Sequence, residues 1–445
     1  IDGFPGSSNR NPIQESVVGT LQSRTKALVS NFSATYQINS KLSFKSFYGI
    51  DYRIIDDERY VDPRTRSGAA SQGSLTIGKR QNSNFLTNQT LNYKTTFAED
   101  HNLSALLGAE YRYDNREISS VTGTGFTTYQ FRSLQSAAII TAGTGSWTGF
   151  KRAGVFGQVN YDFQKKYLLS AVLRYDGSSR FGKNNKFGWF PAISAGWNMS
   201  EESFLKDQEW INQLKLRVGY GETGNDAIGN FDSRALYGSS SSSNYNQEPG
   251  IYPSGIENAL LKWERNVTTN IGVDYAFFNN RIQGSVEVFR RLSKDLLLDK
   301  PLPYLSGFSN VTSNVGKLKN EGIELEIRTR NIQSDDFSWS TNFNISFLRN
   351  RVLRLLGDDK VLPGNQSVRV GYALGTNVTY QYAGVNSATG RPMWYDANGE
   401  ITYQPSAPND YKIFGNQLSD FYGGFTNTFQ YKGLSLNVFF HYDYG

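Results

Sequence analysis

The chain contains no cysteine, only two histidines and only two methionines. Without cysteine there is no disulfide scaffold, no thiolate-held zinc or iron–sulfur centre and no cysteine nucleophile. Two histidines leave little material for a histidine-rich metal site or a crowded acid–base centre. No run approaches the roughly 18 apolar residues of a transmembrane helix. Basic tails and dense Lys/Arg blocks are missing as well. The net charge is a modest +6, from 46 basic and 40 acidic residues, so no nucleic-acid partner is expected. Helical periodicity is nearly absent, and Ser200–Leu205 alone suggests one short turn. Hydrophobic residues are scarce, 38% of 445, yet aromatics reach 14%. So many rings argue against disorder. The fold must use them without a large aliphatic core.

What the chain has is alternation. Residues 42–54 place Leu42, Phe44, Tyr48, Ile50, Tyr52 and Ile54 on one face, with Lys41, Ser43, Lys45, Asp51 and Arg53 on the other. Segments 103–113, 153–163 and 339–347 repeat the pattern. A period of 2 marks a strand with one apolar and one polar face. Fourteen such strands are expected, near 28–38, 42–54, 85–97, 103–113, 153–163, 167–175, 187–197, 214–220, 267–277, 282–290, 323–330, 339–347, 421–431 and 434–444. Many have the length, about 10 residues, that a tilted strand needs to cross a bilayer.

The connections alternate too. Short turns are expected at Asn39-Ser40-Lys41, Ala98-Glu99-Asp100-His101, Gln164-Lys165-Lys166, Phe278-Asn279-Asn280, Gln333-Ser334-Asp335-Asp336 and Lys432-Gly433. Between them lie long connections at 55–84, 114–152, 176–186, 221–266, 291–322 and 348–420, rich in Gly, Ser, Asn, Asp and Pro, as in the run from Ser239 to Ser243. The exception is 198–213, an extended connection on the short-turn side. Short turns at one end and long loops at the other are the layout of a bacterial outer-membrane barrel. Aromatics such as Tyr36, Tyr175, Trp189, Trp197, Tyr275, Phe429 and Tyr444 crowd the strand ends, where rings with a polar tip form interfacial girdles. A soluble β-sandwich or propeller would need shorter loops and more buried aliphatics. The fold class is therefore all-β, a large antiparallel transmembrane β-barrel with long extracellular loops. The opening Ile1-Asp2-Gly3-Phe4 has no signal-peptide pattern and the chain stops in mid-alternation at Tyr444-Gly445, so a piece of a longer protein is expected.

Several segments resemble the SusC/RagA-like family of TonB-dependent outer-membrane transporters of Bacteroidota. They are Leu173-Arg174-Tyr175-Asp176-Gly177-Ser178-Ser179-Arg180-Phe181-Gly182, Gly188-Trp189-Phe190-Pro191-Ala192, Ser200-Glu201-Glu202-Ser203-Phe204-Leu205, Leu214-Lys215-Leu216-Arg217 and Gly221-Glu222-Thr223-Gly224-Asn225. Asn314-Val315-Gly316, Asn320-Glu321-Gly322-Ile323-Glu324-Leu325 and Gly423-Gly424-Phe425-Thr426-Asn427-Thr428 follow in order. The likeness runs from about 150 to 445 and is fainter before. It implies a plug inside a barrel of about 22 strands, so residues 1–445 would be the central-to-late part of the barrel. The N-terminal plug, the TonB box and the last strands would lie outside this chain. It also implies import of a bulky oligosaccharide or peptide, with a SusD-like surface lipoprotein as lid and energy from TonB–ExbB–ExbD. Outer-membrane lipid would be the surroundings, and no catalysis is implied. A passive porin and a structural or secretion-complex barrel are the alternatives.

Other motifs have plainer readings. Gly219-Tyr220-Gly221-Glu222-Thr223-Gly224 spells G-x-G-x-x-G, but loop residues follow where a dinucleotide site needs a helix. Asp396-Ala397-Asn398-Gly399-Glu400 resembles the start of a calcium loop, but its Gly comes too early for an EF-hand. A tight Asn-Gly turn is the favoured reading; calcium in the 348–420 loop stays as an alternative, and no other cofactor is expected. His101, in a turn, and His441, on the polar face of the last strand, read as solvated. Glu324 and Glu326 share a face and could be a glycosidase pair; beside Arg328, an ion-lined wall is favoured. The lumen candidates for substrate contact are Arg53, Arg112, Arg174, Asp176, Arg217, Glu324 and Arg328. The loop candidates for stacking on substrate are Trp147, Trp394 and Tyr395, with Tyr129, Tyr245 and Tyr252 of the same kind.

Overall fold

In the computed structural model, residues 11–240, 243–246, 248–357 and 359–445 are described. Ile1–Phe4 and, within the serine run, Ser241 and Ser242 lie outside them. Fourteen strands form one sheet in chain order. They are β1 (Thr20–Gln37), β2 (Leu42–Val61), β3 (Ser74–Phe97), β4 (His101–Phe126), β5 (Ala137–Phe163), β6 (Tyr167–Ser178), β7 (Phe187–Asn198), β8 (Ile211–Asn225), β9 (Glu264–Phe277), β10 (Ile282–Lys294), β11 (Lys317–Gln333), β12 (Phe337–Arg354), β13 (Phe421–Tyr431) and β14 (Leu434–Tyr444). Every strand expected from alternation is present, and neighbours run antiparallel.

The strand ends differ from the expectation in one direction. β3, β4 and β5 run for 24, 26 and 27 residues. Most of the supposed loops 55–84 and 114–152 is therefore strand, and Trp147 sits on β5 instead of in a loop. Beyond the bilayer no lipid demands an apolar face. Segments such as Asp114–Gly125 pair as strands without showing the alternation that identifies one.

By their contacts the residues form two compact units: 1–92, 108–155 and 177–179 in the first; 93–107, 156–176 and 180–445 in the second. In the first unit the β1–β2 register sets Leu28 opposite Tyr52, Phe32 opposite Tyr48 and Tyr36 opposite Phe44. The alternate positions pair Ala27 with Arg53, Val29 with Asp51 and Thr35 with Lys45. The first set is apolar and exposed apart from the half-buried Tyr52, and the second carries the β2 charges Lys45, Asp51 and Arg53. Tyr60, Leu75 and Phe126 form a small buried cluster at the long-loop ends of their strands.

In the second unit the register is continuous over seven strands. Val218, Ile271, Val288, Ile323, Phe347, Phe421 and Tyr444 lie in one cross-strand row. The next row on that face holds Leu216, Val273, Val286, Leu325, Ile345, Gly423 and Tyr442. On β12 the face continues through Phe343, Thr341 and Trp339 to Phe337. That stretch, residues 337–347, measures about 33 Å at ~3.3 Å per residue. At the usual strand tilt of about 40° it covers the roughly 25 Å apolar band of an outer-membrane barrel. Aromatic contacts mark its short-turn end: Trp339 on Phe429 at 5.7 Å, Trp210 on Phe277 at 5.5 Å and Trp210 on Phe278 at 5.9 Å.

The turns at that end use left-handed backbone at Ala98 and Glu99, Gln164 and Lys165, and Phe278 to Asn280. Consecutive positive-φ residues give the turn twist that matches a sheet. His101 is not the solvated turn residue expected. It opens β4, stacks on Phe97 at 5.0 Å, meets Phe163 at a tilt at 4.7 Å, and its Nδ1 lies 2.6 Å from the Tyr161 hydroxyl. The ring is half-buried because the turn places it among the girdle aromatics.

Candidate functional site

The site suggested by the sequence is the polar face, and the structure shows how its charges are held. Residues two apart on a strand share a face, so an arginine can fold back on a carboxylate of its own strand. Arg53 binds Asp51 at 2.8 and 2.9 Å. Arg112 binds Asp114 at 2.6 and 2.9 Å. Arg174 binds Asp176 through two contacts of 2.9 Å and lies over the Phe156 ring at 4.6 Å. Arg328 reaches Glu326 at 2.6 Å. All four are charge-assisted pairs; the first three are forked across both carboxylate oxygens, and Arg328 brings two nitrogens to one oxygen of Glu326. Glu326 is thereby tied to an arginine, which favours the ion-lined wall over a glycosidase pair with Glu324.

Arg217 differs, because it bridges strands. It donates to both oxygens of Asp274 on β9, at 2.8 and 2.9 Å, and to Glu287 on β10 at 3.2 Å. Asn270 donates to the other Glu287 oxygen at 3.1 Å. The path crosses Gly272, which lies between Arg217 and Glu287 in the register. A Cβ there would stand 2.9 Å from the guanidinium, so glycine clears the way. Glu324 occupies the next position of that row, opposite Glu287. It makes no ion pair among the described residues. The sequence argument missed Asp274, Glu287 and Gly272. The signal was there in the Phe278–Arg281 hairpin, which sets Phe277 against Ile282 and so fixes which residues meet. It is readable only once the hairpin register is known.

The lumen candidates fall in both units: Arg53 and Arg112 in the first, and Arg174, Asp176, Arg217, Glu324 and Arg328 in the second. The aromatic candidates differ in exposure: Tyr129, Trp147, Tyr245 and Tyr252 are exposed, and Trp394 and Tyr395 are packed. Trp147 lines a polar concavity of about 480 Å³ with Lys79, Gln81, Glu117 and Ser146. Trp394 and Tyr395 are half-buried in a three-stranded sheet of Tyr382–Val385, Pro392–Tyr395 and Ile401–Thr402. The Tyr129 ring carries the Arg64 guanidinium at 3.5 Å. In the Asn398-Gly399 turn, Asp396 Oδ1 accepts from the backbone N–H of Asn398 and Glu400 at 2.8 and 2.9 Å. Asp410 accepts from Ala397 and Ser406 at 2.8 and 2.7 Å. Both carboxylates shape the loop, and among the described residues no group of three His, Asp or Glu is placed to hold a metal ion.

The recurrent motifs converge instead on packing at the long-loop end. Phe181, Phe190, Leu261 and Trp263 form a buried cluster. Trp263 packs on Phe181 at 4.9 Å and donates its indole N–H to the Lys186 carbonyl at 2.8 Å. A side chain at Gly182 would collide with the Ala259 carbonyl, and two residues further on the Leu261 carbonyl accepts the Gly182 N–H. Arg180 anchors the Asn225–Asn230 segment through Asn230 at 2.8 Å and the Asp226 carbonyl at 2.9 Å. At the opposite end Glu202 ties the irregular 199–210 connection down. It accepts from Tyr167 at 2.6 Å, Trp197 at 3.0 Å and Lys166 at 3.3 Å. The Tyr167 and Trp197 hydrogen bonds hold its carboxyl below the usual range, burial opposes them, and Lys166 adds to the lowering.

Comparison with known proteins agrees with this architecture. The family described as TonB dependent receptor-like, beta-barrel matches residues 2–442. TonB-dependent receptor P3 of Formosa agariphila is 33% identical across 94% of this chain and 44% of its own length. TonB-dependent receptor SusC of Bacteroides thetaiotaomicron is 35% identical across 65% of this chain and 31% of its own length. The chain thus spans less than half the length of these curated relatives. The structure of the RagAB peptide transporter superposes with a TM-score of 0.91 at 26% identity, over 99% of this chain and 50% of that one. The lipid-sized apolar band, the self-paired polar face and the packed motifs are those of an outer-membrane β-barrel of the SusC/RagA type, and the chain belongs to the TonB-dependent receptor-like β-barrel family.

Proposed function

We propose that the protein containing this barrel segment imports a bulky nutrient, an oligosaccharide or a peptide, across the outer membrane without chemically altering it. The observation that supports this most is the match along 99% of the chain to the RagAB peptide transporter. The polar face adds a physical argument. Arg53, Arg112, Arg174, Arg217 and Arg328 are each held by a carboxylate, so these five offer no strong uncompensated charge to trap a cargo. Amides stand beside these pairs, among them Asn342 opposite Arg328 and Asn344 opposite Glu326 on β12. An amide can donate to and accept from hydroxyls or peptide groups alike. A surface lipoprotein of the SusD kind would close the long-loop end, and TonB–ExbB–ExbD would supply energy through the portion of such receptors that this chain does not span. Uptake of labelled oligosaccharides and peptides is the test, comparing wild type with strains lacking the receptor gene or TonB. Loss of uptake in both deletions is expected. Uptake lost with the receptor but retained without TonB would overturn energy coupling, and a strain lacking the receptor that imports normally would overturn the reading altogether.

A further inference from the structure

We propose that the outward face of β10, β11 and β12, just above the apolar band, is a binding site for the phosphorylated headgroup of an outer-leaflet glycolipid. The register builds a grid of nine positions there. Arg290, Glu321 and Arg349 form the row above Val288, Ile323 and Phe347. Leu292, Lys319 and Arg351 form the next, and Lys294, Lys317 and Arg354 the last. Seven cations and one carboxylate occupy the nine places, a local charge of +6. That equals the net charge of the entire chain.

Three features separate this grid from ordinary surface charge. Six of its seven cations make no ion pair among the described residues. Lys319 pairs at 2.7 Å with Glu321, the one carboxylate that Arg290 and Arg351 also face. Arg290, Arg349 and Arg351 are exposed and make no hydrogen bond or ion pair among the described residues. Like charges lie directly opposite one another, as in Lys319–Arg351 and Lys294–Lys317–Arg354, an arrangement that destabilises a sheet unless an anion intervenes. Finally, the grid is at the long-loop end only. The short-turn end of the same face has Phe337, Trp339, Phe429 and Tyr431 and no charge at the paired positions. An outer leaflet rich in phosphate lies at that height, and guanidinium forks bind phosphate bidentately. A second copy of the chain would not fit, because a two-fold contact would set this cationic patch against its own equivalent.

The test uses the full-length protein purified from outer membranes, with native mass spectrometry and thermal unfolding after exchange into neutral detergent. Adding a phosphorylated outer-membrane glycolipid is expected to give a bound adduct and a raised Tm, whereas the dephosphorylated glycolipid gives neither. The variant R290Q/R349Q/R351Q is expected to bind about a hundredfold more weakly, at about fivefold per surface cation removed. A variant with equal charge loss in the loops, K360Q/R391Q/K412Q, should bind as wild type does. Should the triple variant fail to fold, R349Q alone is read for its smaller loss. Equal binding of the dephosphorylated lipid, equal weakening in the loop variant, undiminished binding in the grid variants, or a Tm rise reproduced by inorganic phosphate would each overturn the proposal.

Discussion

The two faces of β8 to β12 handle charge in opposite ways. On the polar face, cations and carboxylates neutralise one another within reach of a single side chain, as Arg217 does with Asp274 and Glu287. On the opposite face, four successive rows from Val218–Phe347 towards the short turns carry no charge, and then seven cations appear together. The difference teaches that the charge on this wall is sorted by what lies outside it. A face turned to water and cargo can balance itself. A face turned to hydrocarbon must stay empty of charge, and one turned to headgroups can leave the balance to lipid.

The comparison breaks most visibly by placing charge in the empty rows. Ile327→Arg on β11, opposite Phe343 in the middle of the apolar band, is expected to cost about 2–4 kcal/mol, as for a cation near the bilayer midplane. Ser346→Arg, on the polar face opposite Glu324, should change stability by no more than about 0.5 kcal/mol. Urea unfolding from lipid vesicles measures both. Equal costs would show that the faces are assigned wrongly.

Removing the bridging cation comes next. Arg217→Gln leaves Asp274 and Glu287 facing each other without compensation, at a cost of about 1–3 kcal/mol. Adding Asp274→Asn should recover part of it in a double-mutant cycle. Gly272→Ala should reproduce much of the defect by displacing the guanidinium.

The Glu202 knot gives a pH dependence with a defined sign. Its folded pKa lies below the unfolded value, so its contribution is complete above the unfolded pKa of about 4.3. It is lost as pH falls through the folded pKa. Thermal unfolding between pH 7 and pH 3 should show a loss of stability in wild type that is smaller in Glu202→Gln. Identical pH profiles would mean the carboxylate is not held as described.

The smallest effect has the opposite sign. In neutral detergent Arg351→Gln should stabilise the protein, by about 0.2–1 kcal/mol, since it removes a like charge facing Lys319. A destabilisation would show that the grid is balanced within the protein.

Much of this was legible in the chain itself. Strand number, the side each residue takes and the alternation of short and long connections follow from a period of 2 and from turn chemistry. Those signals are local, and a bilayer imposes them strictly. What stayed hidden depended on partners distant in sequence. The outer parts of β3, β4 and β5 looked like loops because water on both sides sets no pattern. Trp147 was misplaced with them. His101 looked solvated until the turn set it between Phe97 and Phe163.

The opening scarcity of aliphatic residues is explained by the same division. Half of each strand faces a polar interior, and the rings gather where membrane meets water. The fourteen strands of the large sheet, and the face each of their residues takes, are settled within a few residues of chain and were readable from sequence; the short strands of the loop sheets were not. Only the tertiary structure decided which charges meet. Register across hydrogen-bonded neighbours set Arg217 over Gly272 to reach Glu287 and stacked seven cations on three strands. A shift of two residues in any one hairpin would keep every face and change every pair.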